Sequence, residues 1–182
     1  MTIIETERLL LRTWTPEDAE TYFQMNQDPE VIKFLQGPLT REQVNDVIRS
    51  TNRHQKELGY SLFAAELKES GQFIGFIGLN DMDFFSKFGA HFTPAVEVAW
   101  RLGSQYWNKG YASEGAKASL DYGFSHKIGL QEIVACTVPG NHRSIRVMER
   151  IGMMRDFDGD FAHPKLEPHH PLSKHVLYRI RR

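Results

Sequence analysis

One cysteine stands among 182 residues. Cys136 alone excludes an intramolecular disulfide and a cysteine-built zinc site, and it makes a reducing, cytoplasmic setting the expectation. Long apolar runs are missing as well. No stretch approaches the roughly 18–20 residues that a membrane helix needs, and Met1–Thr6 carries no basic segment leading into an apolar one. Charge of one sign is also missing. The 22 Lys+Arg against 23 Asp+Glu leave a formal net charge of −1, which points to neither nucleic acid nor an anionic membrane as partner. The common nucleotide signatures are absent: there is no GxxxxGK[ST], and no GxGxxG follows a strand. Repeats, low-complexity tracts and linkers are absent too, so one domain spanning 1–182 is expected.

What is present is a soluble-type composition, 41% hydrophobic and 25% charged, enough to build one core without staples. Ile3–Trp14 reads as a strand. Thr15-Pro16-Glu17-Asp18 reads as a helix opening with Thr15 as its cap, and the helix runs to about Gln27. Glu30–Leu35 is a short helical turn, and Thr40-Arg41-Glu42-Gln43 opens a further capped helix that stops at Gly59. Tyr60–Leu67 and Phe73–Met82 read as paired antiparallel strands joined by residues 68–72. Ala95–Leu102 is a strand that feeds a turn and then a helix from about Gly110 to Lys127. After it come a strand at Glu132–Val138, a helix at Asn141–Ile151, and closing strands at Met153–Asp158 and His175–Ile180. The result is an α+β sheet with helices on its faces.

Trp107-Asn108-Lys109-Gly110-Tyr111-Ala112 is the most informative segment. A strand runs through a small-residue turn directly into a helix, which leaves a row of unpaired N–H groups at a positive helix end, where a pyrophosphate fits. An ordinary strand-to-helix turn is the competing reading.

The order of elements decides between them. Strand, x-x-x-Gly-x-Ala, helix, strand, then Asn-x-x-Ser on a helix ending in Gly resembles the GNAT acetyltransferase superfamily, and more closely its ribosomal-protein-alanine N-acetyltransferase (RimJ/RimL-like) branch. Glu5–Arg12 with Pro16-Glu17-Asp18, Phe76-Ile77-Gly78, Val96–Leu102, Tyr106–Glu114 and Asn141–Gly152 carry the likeness over essentially the whole chain. Trp107 stands where the superfamily usually has Gln or Arg. Asn108 stands where the branch commonly has Gly, and Asn accepts a positive φ better than most residues.

The resemblance implies a mixed, mostly antiparallel sheet of six to seven strands, splayed at a cofactor cleft, with helices on both faces. It implies acetyl-CoA as co-substrate and no metal. The pantetheine arm would lie on strand Ala95–Leu102 near Trp100 and Leu102. The backbone of Asn108, Lys109, Gly110, Tyr111 and Ala112, with Ser113, would take the pyrophosphate, and Lys109 would add charge there or simply face solvent. Asn141, Ser144 and Met148 share one helix face. Many superfamily members use a Tyr at the Met148 position to reprotonate the CoA thiolate; the resemblance to the RimL-like branch gives that role to Ser144 here and sets Asn141 on the pantetheine arm. Asn141 as a helix N-cap and Ser144 as a neutral helix residue are the alternatives.

An attacking amine must first lose a proton. Glu97, an acid inside an apolar strand, is the first candidate base, directly or through water, with an ion pair to a neighbouring strand as its alternative role. Asp160 or His163 is the second candidate, binding or deprotonating the acceptor. His163, His169, His170 and His175 invite a metal, yet the intervening prolines point to a rigid loop over the substrate, since no tidy ligand pair appears. The aromatic loop Phe84–Phe92 reads as a pocket wall or dimer patch, and Cys136 as a small core residue. The expected activity is direct transfer of acetyl to a primary amine on a small molecule or peptide, by a monomer or homodimer. A catalytically weak acyl-CoA-binding sensor or protein-interaction module on the same fold is the reading of another class, and Met148 in place of Tyr is what favours it.

Overall fold

In the computed structural model, which describes residues 1–82 and 93–182, the first apolar run is two strands instead of one. β1 (Thr2–Glu5) and β2 (Leu9–Arg12) pair antiparallel, with Glu5 opposite Leu10. Thr6 closes the reversal: its N–H donates to the Leu9 carbonyl at 3.0 Å and its hydroxyl accepts from the Leu9 N–H at 2.9 Å. No glycine, proline or asparagine marks this turn, so the apolar pattern reads straight through it.

Arg12 then meets the first helix. α1 (Asp18–Met25) begins where Asp18 reaches back to accept from the Thr15 N–H at 2.8 Å and from both terminal nitrogens of Arg12 at 2.8 Å each. Thr15 therefore does not cap this helix as expected; the carboxylate does the holding. α2 (Pro29–Ile32) follows, capped by the Asp28 side chain on the Glu30 N–H. α3 (Arg41–Leu58) shows the full Thr40–Gln43 capping box and ends at Gly59 with φ +80°.

The remaining elements are β3 (Leu62–Leu67), β4 (Phe73–Asp81), β5 (Val96–Leu102), α4 (Tyr111–Phe124), β6 (Glu132–Thr137), α5 (His142–Arg150), β7 (Met154–Ala162) and β8 (Lys174–Arg181). Among the described residues they form, with β1 and β2, one sheet of eight strands in the order β1-β2-β3-β4-β5-β6-β8-β7, not six to seven; the split of residues 2–12 supplies the extra strand. Every neighbouring pair is antiparallel except β5–β6, which is parallel and registers at one pair, Glu97 opposite Val134.

Alternation along the strands divides the core between two faces. Phe63, Ala65, Ile77, Leu79 and Val98 pack with Ala116 and Leu120 of α4 and with Met148 of α5. Ala64 and Phe76 point the other way, onto Trp14, Tyr22 of α1 and Val44 of α3. Full burial of each large apolar side chain contributes about 1.5–3 kcal/mol, so helices are held firmly on both faces. Among the described residues no helix is long and apolar enough to cross a membrane. The aromatic loop Phe84–Phe92 lies outside the described residues.

β4 supports β5 at close range. Gly75 has φ +133°, and a Cβ there would lie 2.1 Å from the Arg101 carbonyl oxygen. Gly75→Ala should therefore lower unfolding stability by at least about 2 kcal/mol, combining backbone strain with a clash against main chain that cannot rotate away. Urea denaturation checks this, and a loss under about 0.5 kcal/mol would show that β5 can shift aside.

Candidate active site

A parallel pair that registers at one point must part on either side of it. Beyond Glu97, β5 and β6 diverge, and the C-terminal half of β5 borders an open cleft, a cavity of about 260 Å³. Strand alternation places Trp100 and Leu102 on the face of α4, while Glu97, Ala99 and Arg101 share the face of α1.

The turn after β5 lines the cleft. The Trp107 indole N–H donates to the Leu102 carbonyl at 2.9 Å and folds the chain back on its own strand. Asn108 (φ +60°) and Gly110 (φ +84°) adopt the left-handed conformation, and α4 starts at Tyr111 without a side-chain cap. No backbone acceptor takes the N–H groups of residues 108–113 among the described residues, while Glu114 N–H already bonds the Gly110 carbonyl. The Ser113 hydroxyl is buried without a partner. Six N–H groups without a backbone acceptor among the described residues and a buried unpartnered hydroxyl therefore lie at a positive helix end, where an anion with several oxygens can find donors.

Arg8 fixes this turn from outside. Its guanidinium donates to the Lys109 carbonyl at 2.9 Å, pairs with Glu114 at 2.6 Å and stacks over Tyr111 at 4.6 Å. Lys109 points its ammonium at the Tyr106 ring, 5.8 Å from the centroid, and does not line the cavity.

α5 forms the opposite wall. Asn141 is its N-cap: Oδ1 accepts from the Ser144 N–H at 3.3 Å, and Nδ2 donates to the Thr137 hydroxyl at 3.0 Å and to Ser144 Oγ at 3.1 Å. The Ser144 oxygen is thus held as an acceptor, and its own proton has no acceptor among the described residues. Both residues line the cleft. Met148 is buried at 2% exposure in the core, so the face it shares with Asn141 and Ser144 turns inward at that point. Sequence reasoning passed over the arginines of this helix. Arg143, Arg146 and Arg150 line the cleft, with Arg143 stacked over Trp107 at 4.3 Å and paired with Glu30 at 3.2 Å. Their i, i+3, i+7 spacing was the available signal.

At the point where β5 and β6 pair, Glu97 and Cys136 meet. The thiol donates to the Glu97 carboxylate at 3.3 Å. No cation pairs with Glu97 among the described residues. Burial pushes its carboxyl up from 4.5 to about 7, against the smaller opposing pull of the Cys136 hydrogen bonds. Burial, with the neighbouring carboxylate, pushes the Cys136 thiol well above its usual range. Glu97 does not line the cavity itself.

The other acidic candidates are committed elsewhere. Asp160 is half-exposed and ion-paired with Arg155 at 2.6 Å, and Asp156 is held by Arg179, which keeps its carboxyl below the usual range. His163 sits 3.4 Å from Gln36 Nε2 and 5.4 Å, ring to ring, from His175, which stacks on Phe161. Burial lowers both imidazoles below their ordinary value. The stretch between them closes on itself through the His163 N–H to the Ser173 carbonyl, and residues 168–172 border a second depression that shares Phe34 with the cleft. No group of three His, Cys, Asp or Glu is arranged to hold a metal among the described residues.

The model of the acetyltransferase (GNAT) domain family matches residues 8–154. YnaD of Bacillus subtilis (strain 168), an uncharacterized N-acetyltransferase, is 34% identical over 154 residues, which cover 84% of this chain and 83% of that one. The crystal structure of a GNAT-family acetyltransferase from Bacillus anthracis agrees with a TM-score of 0.77 at 32% identity, covering 100% of this chain and 98% of the other. RimL, the ribosomal L7/L12 alpha-N-protein acetyltransferase solved with coenzyme A, agrees at a TM-score of 0.76 over 100% and 98% of the chains. Its 14% identity makes that a likeness of fold alone.

The raised Glu97 carboxyl has a consequence for stability. Folding favours its neutral form, so the stability it contributes is fully present below 4.5 and drains as pH rises to about 7. The stability of Glu97→Gln minus that of wild type should therefore climb between pH 4.5 and 7 and be flat on either side. Urea unfolding at pH 4, 5.5, 7 and 8 measures it. A difference independent of pH would mean the carboxyl keeps its ordinary value.

Proposed function

Because the chain belongs to the GNAT acetyltransferase family, we propose that it transfers an acetyl group from acetyl-CoA directly to a primary amine, with no covalent acyl-enzyme. The observation that carries this is the cradle at residues 108–113: unpaired N–H groups, the buried unpartnered Ser113 hydroxyl and two left-handed residues, at the mouth of the β5–β6 cleft. These features fit the pyrophosphate of a CoA ester, and the arginines of α5 add positive charge from the opposite wall. When bound, acetyl-CoA supplies the thioester that the amine attacks.

The chain's own residues divide the remaining work. The backbone around Trp100 and Leu102, facing the cleft where β6 has moved away, holds the pantetheine arm and offers an N–H toward the thioester carbonyl. Asn141 keeps α5 capped and holds the Ser144 oxygen, leaving that hydroxyl proton free to be donated toward the departing sulfur. Glu97 accepts the amine proton. A base with a pKa near 7 is half in its useful form at neutral pH, and its place on the α1 face sets it apart from the phosphate end of the cleft. Asp160 and His163 stay with the acceptor in this reading; the Asp160–Arg155 pair weakens the case for Asp160 as a base. The acceptor is a small-molecule or peptide amine, the chain is kin to the RimJ/RimL-like branch, and it works in the cytoplasm as a monomer or homodimer.

The direct test is a panel of amines with acetyl-CoA, reading CoA thiol release and the mass of the acetylated product. Release of thiol with an acetylated amine is expected. Binding of acetyl-CoA without turnover on any amine would turn the reading to a CoA-binding sensor.

Two sets of variants test the parts. Gly110→Glu puts a carboxylate and a disfavoured φ into the cradle, and it should abolish acetyl-CoA binding by calorimetry while the fold persists; unchanged affinity would remove the cradle from the donor site. Glu97→Gln should lower kcat by roughly 10²–10⁴ and erase the acidic limb near pH 7, with acetyl-CoA affinity little changed. Ser144→Ala should cost less, about 10–10³-fold, because a thiol of pKa about 8.5 leaves tolerably unprotonated. Wild-type rates and profiles in both variants would assign proton transfer to water.

A further inference from the structure

Arg101 is a cation on the cleft wall that no carboxylate neutralises among the described residues. It lines the cavity from the α1 face of β5. Its position is nevertheless set with care. Nη1 donates to Asn26 Oδ1 at 2.6 Å and to the Tyr22 hydroxyl at 3.2 Å, which uses both hydrogens of that nitrogen. Asn26 is fully buried and is itself oriented by donating to the Tyr22 carbonyl at 2.6 Å, while Tyr22 is 1% exposed. The guanidinium also lies over the Phe76 ring, 5.6 Å from its centroid. Two buried neutral acceptors and an aromatic face therefore hold one end of the fork. The Nε–Nη2 edge has no partner among the described residues, and it is the edge that grips two oxygens at once.

We propose that Arg101 is an anion-binding residue of this cleft, presenting its Nε–Nη2 edge to a carboxylate or a phosphoryl group. The other acid on this wall does not compete, since Glu30 is paired with Arg143. Two sources can bring the oxygens. A phosphoryl group of the CoA ester reaches it from the cradle side. Alternatively, the acceptor carries a carboxylate remote from its amine: Arg101 and Glu97 share a strand face four residues apart, about 13 Å. A free α-amino acid cannot bridge that span; an extended peptide of about four residues does.

The inference rests on the transferase reading of the cleft, and the measurements separate the two. Acetyl-CoA, acetyl-pantetheine and inorganic pyrophosphate are titrated by calorimetry into wild type, Arg101→Gln and Arg101→Lys, with thermal melts to confirm folding. Arg101→Lys keeps a donor for Asn26 and so guards against loss of fold in the Gln variant. A tetrapeptide and its C-terminal amide are compared as acceptors. A donor phosphoryl predicts that Arg101→Gln weakens acetyl-CoA at least tenfold and leaves acetyl-pantetheine unchanged. An acceptor carboxylate predicts a tenfold rise in KM for the acid form and none for the amide, with Arg101→Lys between the two. Values within twofold of wild type for every ligand, in folded variants, overturn the proposal. If wild type neither binds acetyl-CoA nor turns over, the transferase reading falls by itself. Pyrophosphate then decides on Arg101: tenfold weaker binding by Arg101→Gln upholds it, and equal binding overturns it.

Discussion

The site depends on one parallel strand pair in an otherwise antiparallel sheet. β5 passes through the turn and α4 before β6 returns alongside it, and a crossover of that kind makes the two strands parallel. Had they paired along their length, the outer edge of β5 would be filled with ladder hydrogen bonds. They register at Glu97 and Val134 alone, so the edge near Trp100 and Leu102 stays open to a ligand's polar groups. A fully buried orphan edge would be costly, and a cleft that alternates between water and a ligand carries the same edge without that penalty. The same crossover brings the N-terminus of α4 to the cleft, so the groove and the turn with unpaired N–H groups come from one topological event.

Charge is handled in opposite ways on the two sides of this opening. Outside the cradle, Arg8 is matched by Glu114, and its guanidinium serves as a clamp: it ties the Lys109 carbonyl and the Tyr111 ring to the strand-side turn. Arg12 is matched in the same way by Asp18 and Glu66 at the root of α1. A salt bridge of this kind adds modest stability, but it fixes geometry through several directed hydrogen bonds. Inside the cleft, by contrast, Arg101, Arg146 and Arg150 have no such carboxylates among the described residues. Arg143, paired with Glu30, is the exception on this lining; the other three arginines face the space where an anion would enter without a carboxylate among the described residues.

Much of this was legible in residues whose local chemistry decides their conformation. Thr40 and Gln43 make their capping box, Gly59 ends α3, and Asn108 and Gly110 take positive φ, all of which follow from side chains acting on their own backbone. What stayed hidden depends on partners far along the chain. The reversal at Thr6 carries no turn residue of the usual kind and is stabilised in part by Glu114, to which the Thr6 hydroxyl donates at 2.6 Å across 108 positions. The partner of Asp160 is Arg155, a contact made by the irregular register of β7 that alternation does not predict. Arg101 read as one more residue of a strand because nothing in Val96–Leu102 reveals that Asn26 and Tyr22 wait beneath it.

Glu97 and Cys136 show how the parting of the strands reaches the chemistry. The single registered pair is the last place where β5 and β6 are close, and it is there that a thiol from one strand meets a carboxylate from the other. Two strands closed along their length would bury an acid with no route to a ligand; two strands fully apart would leave it in water near its ordinary 4.5. Placed where the two strands still register, the carboxyl is desolvated enough to be pushed up to about 7. The Cys136 hydrogen bonds limit that rise by favouring the charged form, so the strand that departs to open the cleft also holds the acid within range of neutral pH.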